Sequence, residues 1–149
     1  MTPLKFDDLE SAFYWVSGAM QYENSAYVSR ATGKVYWVSD ELEDEEELPE
    51  DIDDGTLYIA VPHKNDLQLG RSLVFEFVEE HLPDEINRVR SFFSKHGAYS
   101  RFKDFLEYKN RLKQWYEFEN DATEKVLHRW AKDNGFELSA PIRNVRRKR

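Results

Sequence analysis

The stretch SAYVSRATGKVYWVS, residues 25–39, predicts a β-hairpin, and this hairpin decides the fold class. Two runs rich in valine and aromatic residues flank the letters ATG, in which Gly33 can adopt the positive φ that a tight turn requires. In the second run the side chains alternate between two apolar faces, with Trp37 on one face and Tyr36 on the other. We therefore expect helices or a partner to cover both faces of the sheet.

Helical spacing precedes the hairpin, and a third strand follows it. An apolar stripe predicts a helix from about Asp7 to Met20, in which Asp7 and Glu10 form a capping box. The segment TLYIAVP, residues 56–62, alternates as a strand does and ends at a proline. This order indicates a small three-stranded antiparallel sheet that comes after an N-terminal helix.

The second half of the chain predicts helices. Apolar residues return to helical spacing from Asp66, and Pro83 stops the first of these helices. Gly97 closes the next helix, Ser100 caps a short one, and a long helix covers about residues 110–134. A final run, FELSAPI, predicts a short extended segment. The sequence therefore predicts an α+β fold with an N-terminal helix, a small three-stranded antiparallel sheet and a helical C-terminal half.

The net charge of -8 conceals an uneven distribution of charged residues. Residues 40–54 contain eleven acids and no base, whereas residues 143–149 contain five bases and no acid. Residues 88–113 contain eight bases and two acids, a net charge of +6. We predict that residues 1–142 form a single domain with a flexible acidic loop at about residues 40–55, followed by a disordered basic tail.

Two cations in the basic segment raise a specific question. Arg101 and Lys103 fall in the first turn of the helix that Ser100 is expected to cap, where the partial positive charge of the helix end disfavours cations. Two groups could neutralise them. One is an internal carboxylate such as Glu117 or Glu119, and the other is a bound phosphate. The sequence leaves both alternatives open.

The leading functional prediction is non-enzymatic binding of an anionic partner, such as an RNA or DNA backbone, through the basic segment and the tail. Most aromatic residues of this segment, and those just after it, have helical spacing and are expected in the core, with Trp115 and Tyr116 on the buried stripe of the long helix. The residues predicted to contact phosphates are Arg101, Lys103, Lys109, Arg111, Lys113, Arg146 and Arg147, and those predicted to stack on bases are Tyr99 and Tyr108.

Other functional interpretations remain open. A protein-interaction module would use an exposed apolar patch formed by Trp15, Trp37 or Tyr58. A small enzyme of unknown reaction is a third class. The acidic loop either competes with an anionic partner for the basic segment or is only a solvated linker between two strands.

Several classes of site are absent from the sequence. The chain has no cysteine, and its six glycines are scattered singly, so it offers no thiolate ligand and no glycine-rich phosphate loop. The four histidines lack paired metal-ligand spacing, and we read His63, near Asp66, as structural. We predict no catalytic residue, metal or cofactor.

The N-terminus lacks the pattern of a signal peptide, and no apolar run reaches the roughly 20 residues of a membrane span. We therefore expect a cytoplasmic protein that does not enter a membrane.

Three segments, GAYSRFKDFL, WYEF and RWAKDNGFEL, resemble a bacterial family, uncharacterised protein family 0158. Its members share Gly-Ala-x-x-Arg-Phe-Lys-Asp, Trp-Tyr-x-Phe and Trp-x-x-x-x-Gly. The matching positions are Gly97, Ala98, Arg101, Phe102, Lys103, Asp104, Trp115, Tyr116, Phe118, Trp130 and Gly135. The resemblance covers roughly residues 4–136 and implies no particular activity, substrate or cofactor.

Overall fold

The computed structural model describes residues 1–18, 23–39 and 48–140. Within these ranges the helices and strands are β1 (Thr2–Leu4), α1 (Phe6–Ser17), β2 (Asn24–Ser29), β3 (Val35–Ser39), β4 (Tyr58–Ala60), α2 (Arg71–His81), α3 (Ile86–Phe92), α4 (Ala98–Tyr108), α5 (Leu112–Asp133) and β5 (Phe136–Leu138). Short 3₁₀ helices cover Lys64–Leu67 and Pro83–Glu85. This architecture confirms the predicted α+β class, its three-stranded antiparallel sheet, its N-terminal helix and its helical C-terminal half.

Some predictions lie outside the described residues. They concern the end of the first helix at Met20, the acidic residues 40–47 and the basic tail with Arg146 and Arg147. The remainder of the acidic loop, from residue 48, forms hydrogen-bonded turns, in which the Asp54 amide donates to the carbonyl of Asp51 at 2.8 Å. The flexibility of the loop stays a prediction.

The chain divides into two compact units. Unit 1 comprises Met1–Leu67 and Val126–Arg149, and unit 2 comprises Gln68–Lys125. Helix α5 begins in unit 2 and ends in unit 1. The single domain expected over residues 1–142 stays a prediction.

The antiparallel sheet of unit 1 has the strand order β3-β2-β4. The hairpin register places Ala26 opposite Trp37 and Tyr27 opposite Tyr36. Helix α1 packs against the face that carries Ala26 and Trp37, where the rings of Trp15 and Trp37 meet at 4.9 Å between centroids. The apolar stripe of α1, which includes the fully buried Phe6 and Leu9, therefore supplies one side of the core.

A second, two-stranded sheet joins the two ends of unit 1. Strand β1 pairs in parallel with β5, with Thr2 opposite Phe136. The turn of the hairpin lies against β1, because a Cβ at Gly33 would come 2.1 Å from the carbonyl oxygen of Pro3. Gly33 also has φ +78°, so the position requires glycine for two separate reasons.

The predicted capping box of α1 is wrong. The helix begins at Phe6, its N-cap residue is Lys5, and Asp7 lies inside the first turn. The Lys5 side chain makes no capping hydrogen bond. The acceptor comes instead from Ser139, whose Oγ accepts the Phe6 amide at 3.0 Å.

The core of unit 2 is an aromatic cluster. Trp115 of α5 is 1% exposed, and its ring meets those of Phe77 and Phe102 edge to face at 5.3 and 5.1 Å. Such T-shaped contacts suit the charge distribution of aromatic rings. Trp115 is buried as predicted. Tyr116 differs from the prediction, because it is 42% exposed rather than part of the buried stripe.

Candidate nucleic-acid interface

Helix α4 begins three residues before the position predicted from the sequence. Its N-cap residue is Gly97, with φ 73°, and the Arg101 amide donates to the Gly97 carbonyl at 3.0 Å. Ser100 lies inside the first turn, so its predicted role as the cap is wrong. Arg101 becomes the fourth helical residue and Lys103 the sixth. Because the helix dipole acts mainly within the first turn, its penalty on these two cations is smaller than expected.

Arg101 and Lys103 lie on different flanks of α4. Two residues along an α-helix correspond to a rotation of about 200°. The Lys103 ammonium lies 5.8 Å from the centroid of the Tyr116 ring, which is a cation–π distance. Arg101 instead shares a flank with Phe105 and Tyr108, four and seven residues later. The two cations therefore do not belong to one surface.

Several charged side chains converge on Phe105, at the contact between α3 and α4. The Arg88 guanidinium carbon lies 5.6 Å, and the Lys109 ammonium 5.8 Å, from the centroid of its ring. Glu85 pairs with both cations, at 3.8 Å from Arg88 and 3.4 Å from Lys109. We call this surface the Phe105 patch, and its members are Glu85, Arg88, Arg101, Phe105, Tyr108 and Lys109.

The Phe105 patch has more positive than negative groups. It contains three cations and one carboxylate, and among the described residues Arg101 makes no ion pair. Asp104 lies on the exposed side of α4 beside Arg101 and reduces the local positive potential. In the part of the chain that the structure describes, neither Glu117 nor Glu119 forms an ion pair with Arg101 or Lys103, so these carboxylates do not neutralise the two cations as the sequence suggested.

The two tyrosines predicted to stack on bases lie in different environments. Tyr108 is 81% exposed and belongs to the Phe105 patch. Tyr99 is partly buried on the opposite flank of α4, with its ring edge-to-face against Phe93 at 5.2 Å. Burial, and then the charge of Glu119, raise the pKa of Tyr99, and Arg71 acts in the opposite direction. The two rings therefore do not form one stacking platform.

The remaining predicted phosphate contacts lie after α4. Arg111 is exposed and donates to Oε1 of Gln114 at 3.2 Å, and Lys113 is exposed in the first turn of α5. The predicted set did not include Glu85 and Arg88. Arg88 belongs to the basic segment in the sequence, but its position over Phe105 depends on how α3 packs on α4, and the sequence pattern does not specify that packing.

Comparison with known families gives a match over most of the chain. The family model of the uncharacterised protein family (UPF0158) matches residues 5–143. The chain belongs to this family. The predicted family is thereby confirmed over residues 5–143, whereas the shared motifs of the three short segments stay a prediction. No curated protein and no solved structure matches the chain.

In this UPF0158 member, the hydrogen bonds of His63 are typical of a structural residue. His63 is 6% exposed, and its amide donates to Oδ2 of Asp66 at 3.1 Å. Its Nδ1 accepts the amide of Asn65 at 3.1 Å. The ring borders a recess of about 320 Å³ in unit 1. Among the described residues, no group of three or more His, Cys, Asp or Glu side chains could hold a metal ion.

The aromatic residues proposed for a protein-binding patch lie on two surfaces. Trp15 and Trp37 pack together on the α1 side of the sheet. Tyr58 lies opposite Ser29 of β2, and therefore on the other face. In the described part of the chain, no helix is long and apolar enough to span a membrane.

Proposed function

We propose that this chain binds the sugar-phosphate backbone of RNA or DNA through the Phe105 patch. The observation that carries the proposal is that Arg88 and Lys109 lie over one ring and share a single carboxylate, with Arg101 one helical turn away. The excess positive charge of this surface favours an anionic partner. A phosphate that binds there would supply the missing counter-charge.

The Phe105 ring orients the two cations before a ligand arrives. Cation–π contacts and ion pairs restrict the Arg88 and Lys109 side chains, so less rotamer entropy is lost when a phosphate binds. An arginine can also donate two parallel hydrogen bonds to a phosphate. The exposed ring of Tyr108 lies beside these groups and offers a surface for an unpaired base.

Other residues of the predicted set would add to this contact. Arg111 and Lys113 extend the positive surface along the chain, and Arg146 and Arg147 of the tail would add contacts without sequence preference. We also propose a cytoplasmic location, which would give the chain access to nucleic acid.

The proposal is tested with fluorescently labelled single-stranded RNA and duplex DNA. Each bound phosphate contributes about -0.7 (single strand) or -0.9 (duplex DNA) to the slope of log affinity against log salt, so three cations predict a slope of about -2 to -3 between 50 and 200 mM salt. The double variant Arg88→Glu with Arg101→Glu should remove most binding and flatten the slope. Arg90→Glu, an exposed charge reversal on α3 outside the patch, is the matched control. Equal affinities for the double variant and the control would refute the proposal.

The acidic loop provides a second measurement. If the loop competes with nucleic acid for the patch, deletion of residues 43–50 should tighten binding at low salt, because the carboxylates of the loop would no longer compete with phosphates for the cations. If the loop is only a solvated linker, the affinity should change no more than it would after the same number of acids is removed elsewhere on the protein. A comparison at 50 and 200 mM salt separates the two roles.

A further inference from the structure

The second face of the three-stranded sheet carries three tyrosines. Tyr27 and Tyr36 are direct cross-strand partners, and Tyr58 of β4 lies on the same face, opposite Ser29. The rings of Tyr36 and Tyr58 meet edge to face at 5.9 Å across β2. All three side chains are partly exposed, and α1 packs on the other side of the sheet. We call Tyr27, Tyr36 and Tyr58 the tyrosine face.

The tyrosine face already holds a cation. The ammonium of Lys34 lies 4.8 Å from the centroid of the Tyr36 ring. This distance is within the roughly 6 Å over which a ring face attracts a positive charge. The electron-rich face of the Tyr36 ring is therefore oriented so that a cationic group can reach it.

A hydrogen-bonded acidic turn borders this face. Between Asp51 and Tyr58 the backbone forms successive turns, and Nε of Arg30 donates to the carbonyl of Gly55 at 3.0 Å. The Asp54 carboxylate accepts hydrogen bonds from the hydroxyl and the amide of Thr56, which lower its pKa and keep it ionised. The turn lies next to Tyr58, because the Tyr58 amide donates to the carbonyl of Asp54 at 3.0 Å. Desolvation, and then the charge of Asp51 and its hydrogen bond, raise the pKa of Tyr58.

We propose that the tyrosine face binds an arginine- and lysine-rich peptide segment of a partner protein. Guanidinium and ammonium groups would lie over the rings, as Lys34 does, and the exposed acids of the turn, Asp51, Asp53 and Asp54, would supply the counter-charge. A purely apolar partner would leave these carboxylates without positive partners. A nucleic acid would bring its phosphates toward them, and the like charges would repel.

This inference is independent of the proposed function. The tyrosine face and the acidic turn belong to unit 1, whereas every residue of the Phe105 patch belongs to unit 2. The two surfaces also select ligands of opposite charge. Failure of one proposal therefore leaves the other unaffected.

The test measures the binding of a fluorescein-labelled peptide with four arginines to the full chain by fluorescence polarisation. The control peptide replaces each arginine with glutamine. Tyr36→Leu and Tyr58→Leu should each weaken arginine-peptide binding about five-fold, because a leucine lacks the ring quadrupole. Tyr108→Leu, at an exposed tyrosine of the Phe105 patch, is the matched control and should leave this affinity unchanged. Asp51→Asn, an exposed change that keeps the side-chain shape, should weaken binding about two-fold or more.

A second measurement uses the wild-type chain and therefore tests the inference even if a leucine variant fails to fold. In amide NMR spectra of the wild-type chain, the arginine peptide should shift the resonances of β3, β4 and residues 51–58. Shifts confined to α3 and α4, or equal affinities for the two peptides, would overturn the inference. The same variants are tested with oligo-uridine. If Tyr36→Leu weakens oligo-uridine binding and leaves peptide binding intact, the face is a base-stacking surface and the peptide proposal is wrong.

Discussion

Ser139 accepts a hydrogen bond from the amide of Phe6, 133 residues earlier in the chain, with 3.0 Å between Oγ and N. Its own amide donates to the carbonyl of Leu4 at 3.0 Å. Ser139, the residue that follows β5, therefore extends the β1–β5 pairing and also accepts the hydrogen bond of the first amide of α1. The N-cap residue of that helix, Lys5, has no side-chain oxygen that could do so.

We predict that Ser139→Ala lowers the free energy of unfolding by about 1 kcal/mol, within the usual range of 0.5–2 kcal/mol for loss of a capping side chain. Ser100→Ala is the matched control, because Ser100 lies inside α4 and caps no helix. Urea denaturation measures both variants. Equal destabilisation by the two substitutions would contradict the capping role of Ser139.

Substitution of three glycines by alanine should give three different costs. Gly55 has no neighbour within 4 Å of an added Cβ, and its substitution should be close to neutral. Gly97 has open space but φ +73°, so alanine should cost about 1–2 kcal/mol. Gly33 has φ +78°, and an added Cβ would also collide with the Pro3 carbonyl. Alanine at Gly33 should therefore lower the free energy of unfolding more than alanine at Gly97. Thermal and urea unfolding rank the three variants by their loss of stability. If Gly33→Ala shows the smallest loss, the close approach of the turn to β1 is contradicted.

The sequence was sufficient for features that depend on local periodicity and turn chemistry. Alternating side chains around Gly33 predicted β2 and β3, and Pro83 predicted the end of α2. Strand β1 was not predicted, because three residues containing a proline show no alternation and their partner β5 lies at the other end of the chain. Parallel pairing over such a separation depends on tertiary packing, which has no local signal.

The candidate site was predicted only in part, for a related reason. The basic segment and the exposure of Tyr108 follow from residue types and helical spacing. The start of α4 was misplaced because Ser100 and Gly97 are both acceptable N-cap residues, and the structure uses Gly97. The role of Glu85 as a counter-charge to two cations depends on the packing of α3 against α4.

The raised pKa of Tyr99 predicts a pH dependence of stability. In the folded state, burial and the charge of Glu119 raise the pKa of this hydroxyl above 10.0, the usual value for tyrosine. Its contribution to stability is therefore fully present below pH 10 and is lost as the pH rises through the folded-state pKa. Above pH 10, the free energy of unfolding should fall more steeply for the wild type than for Tyr99→Phe.

Absorbance at 295 nm, which follows tyrosinate formation, checks the assignment. Tyr99→Phe should remove one titration step above pH 10. Glu119→Gln should move that step toward the usual value, because it removes a negative charge that disfavours tyrosinate. A Glu119→Gln titration identical to that of the wild type would contradict the contribution of Glu119.

The different flanks of Arg101 and Lys103 predict that their alanine substitutions separate binding from stability. Arg101 is exposed, has no ion pair among the described residues and lies in the Phe105 patch. Arg101→Ala should therefore lower affinity for RNA or DNA about five-fold or more at 50 mM salt and leave the free energy of unfolding unchanged, because it removes a charged donor to phosphate.

Lys103→Ala should have the opposite effects. Its ammonium lies over the Tyr116 ring, and an exposed contact of this kind contributes about 0.5–1 kcal/mol. We expect a small loss of stability and little change in affinity. The variant Tyr116→Leu should reproduce that loss, and Lys103→Ala added to it should cost almost nothing further, because the contact is already absent. If Lys103→Ala instead weakens nucleic-acid binding as much as Arg101→Ala does, the ligand contacts both flanks of α4, and the boundary of the Phe105 patch is wrong.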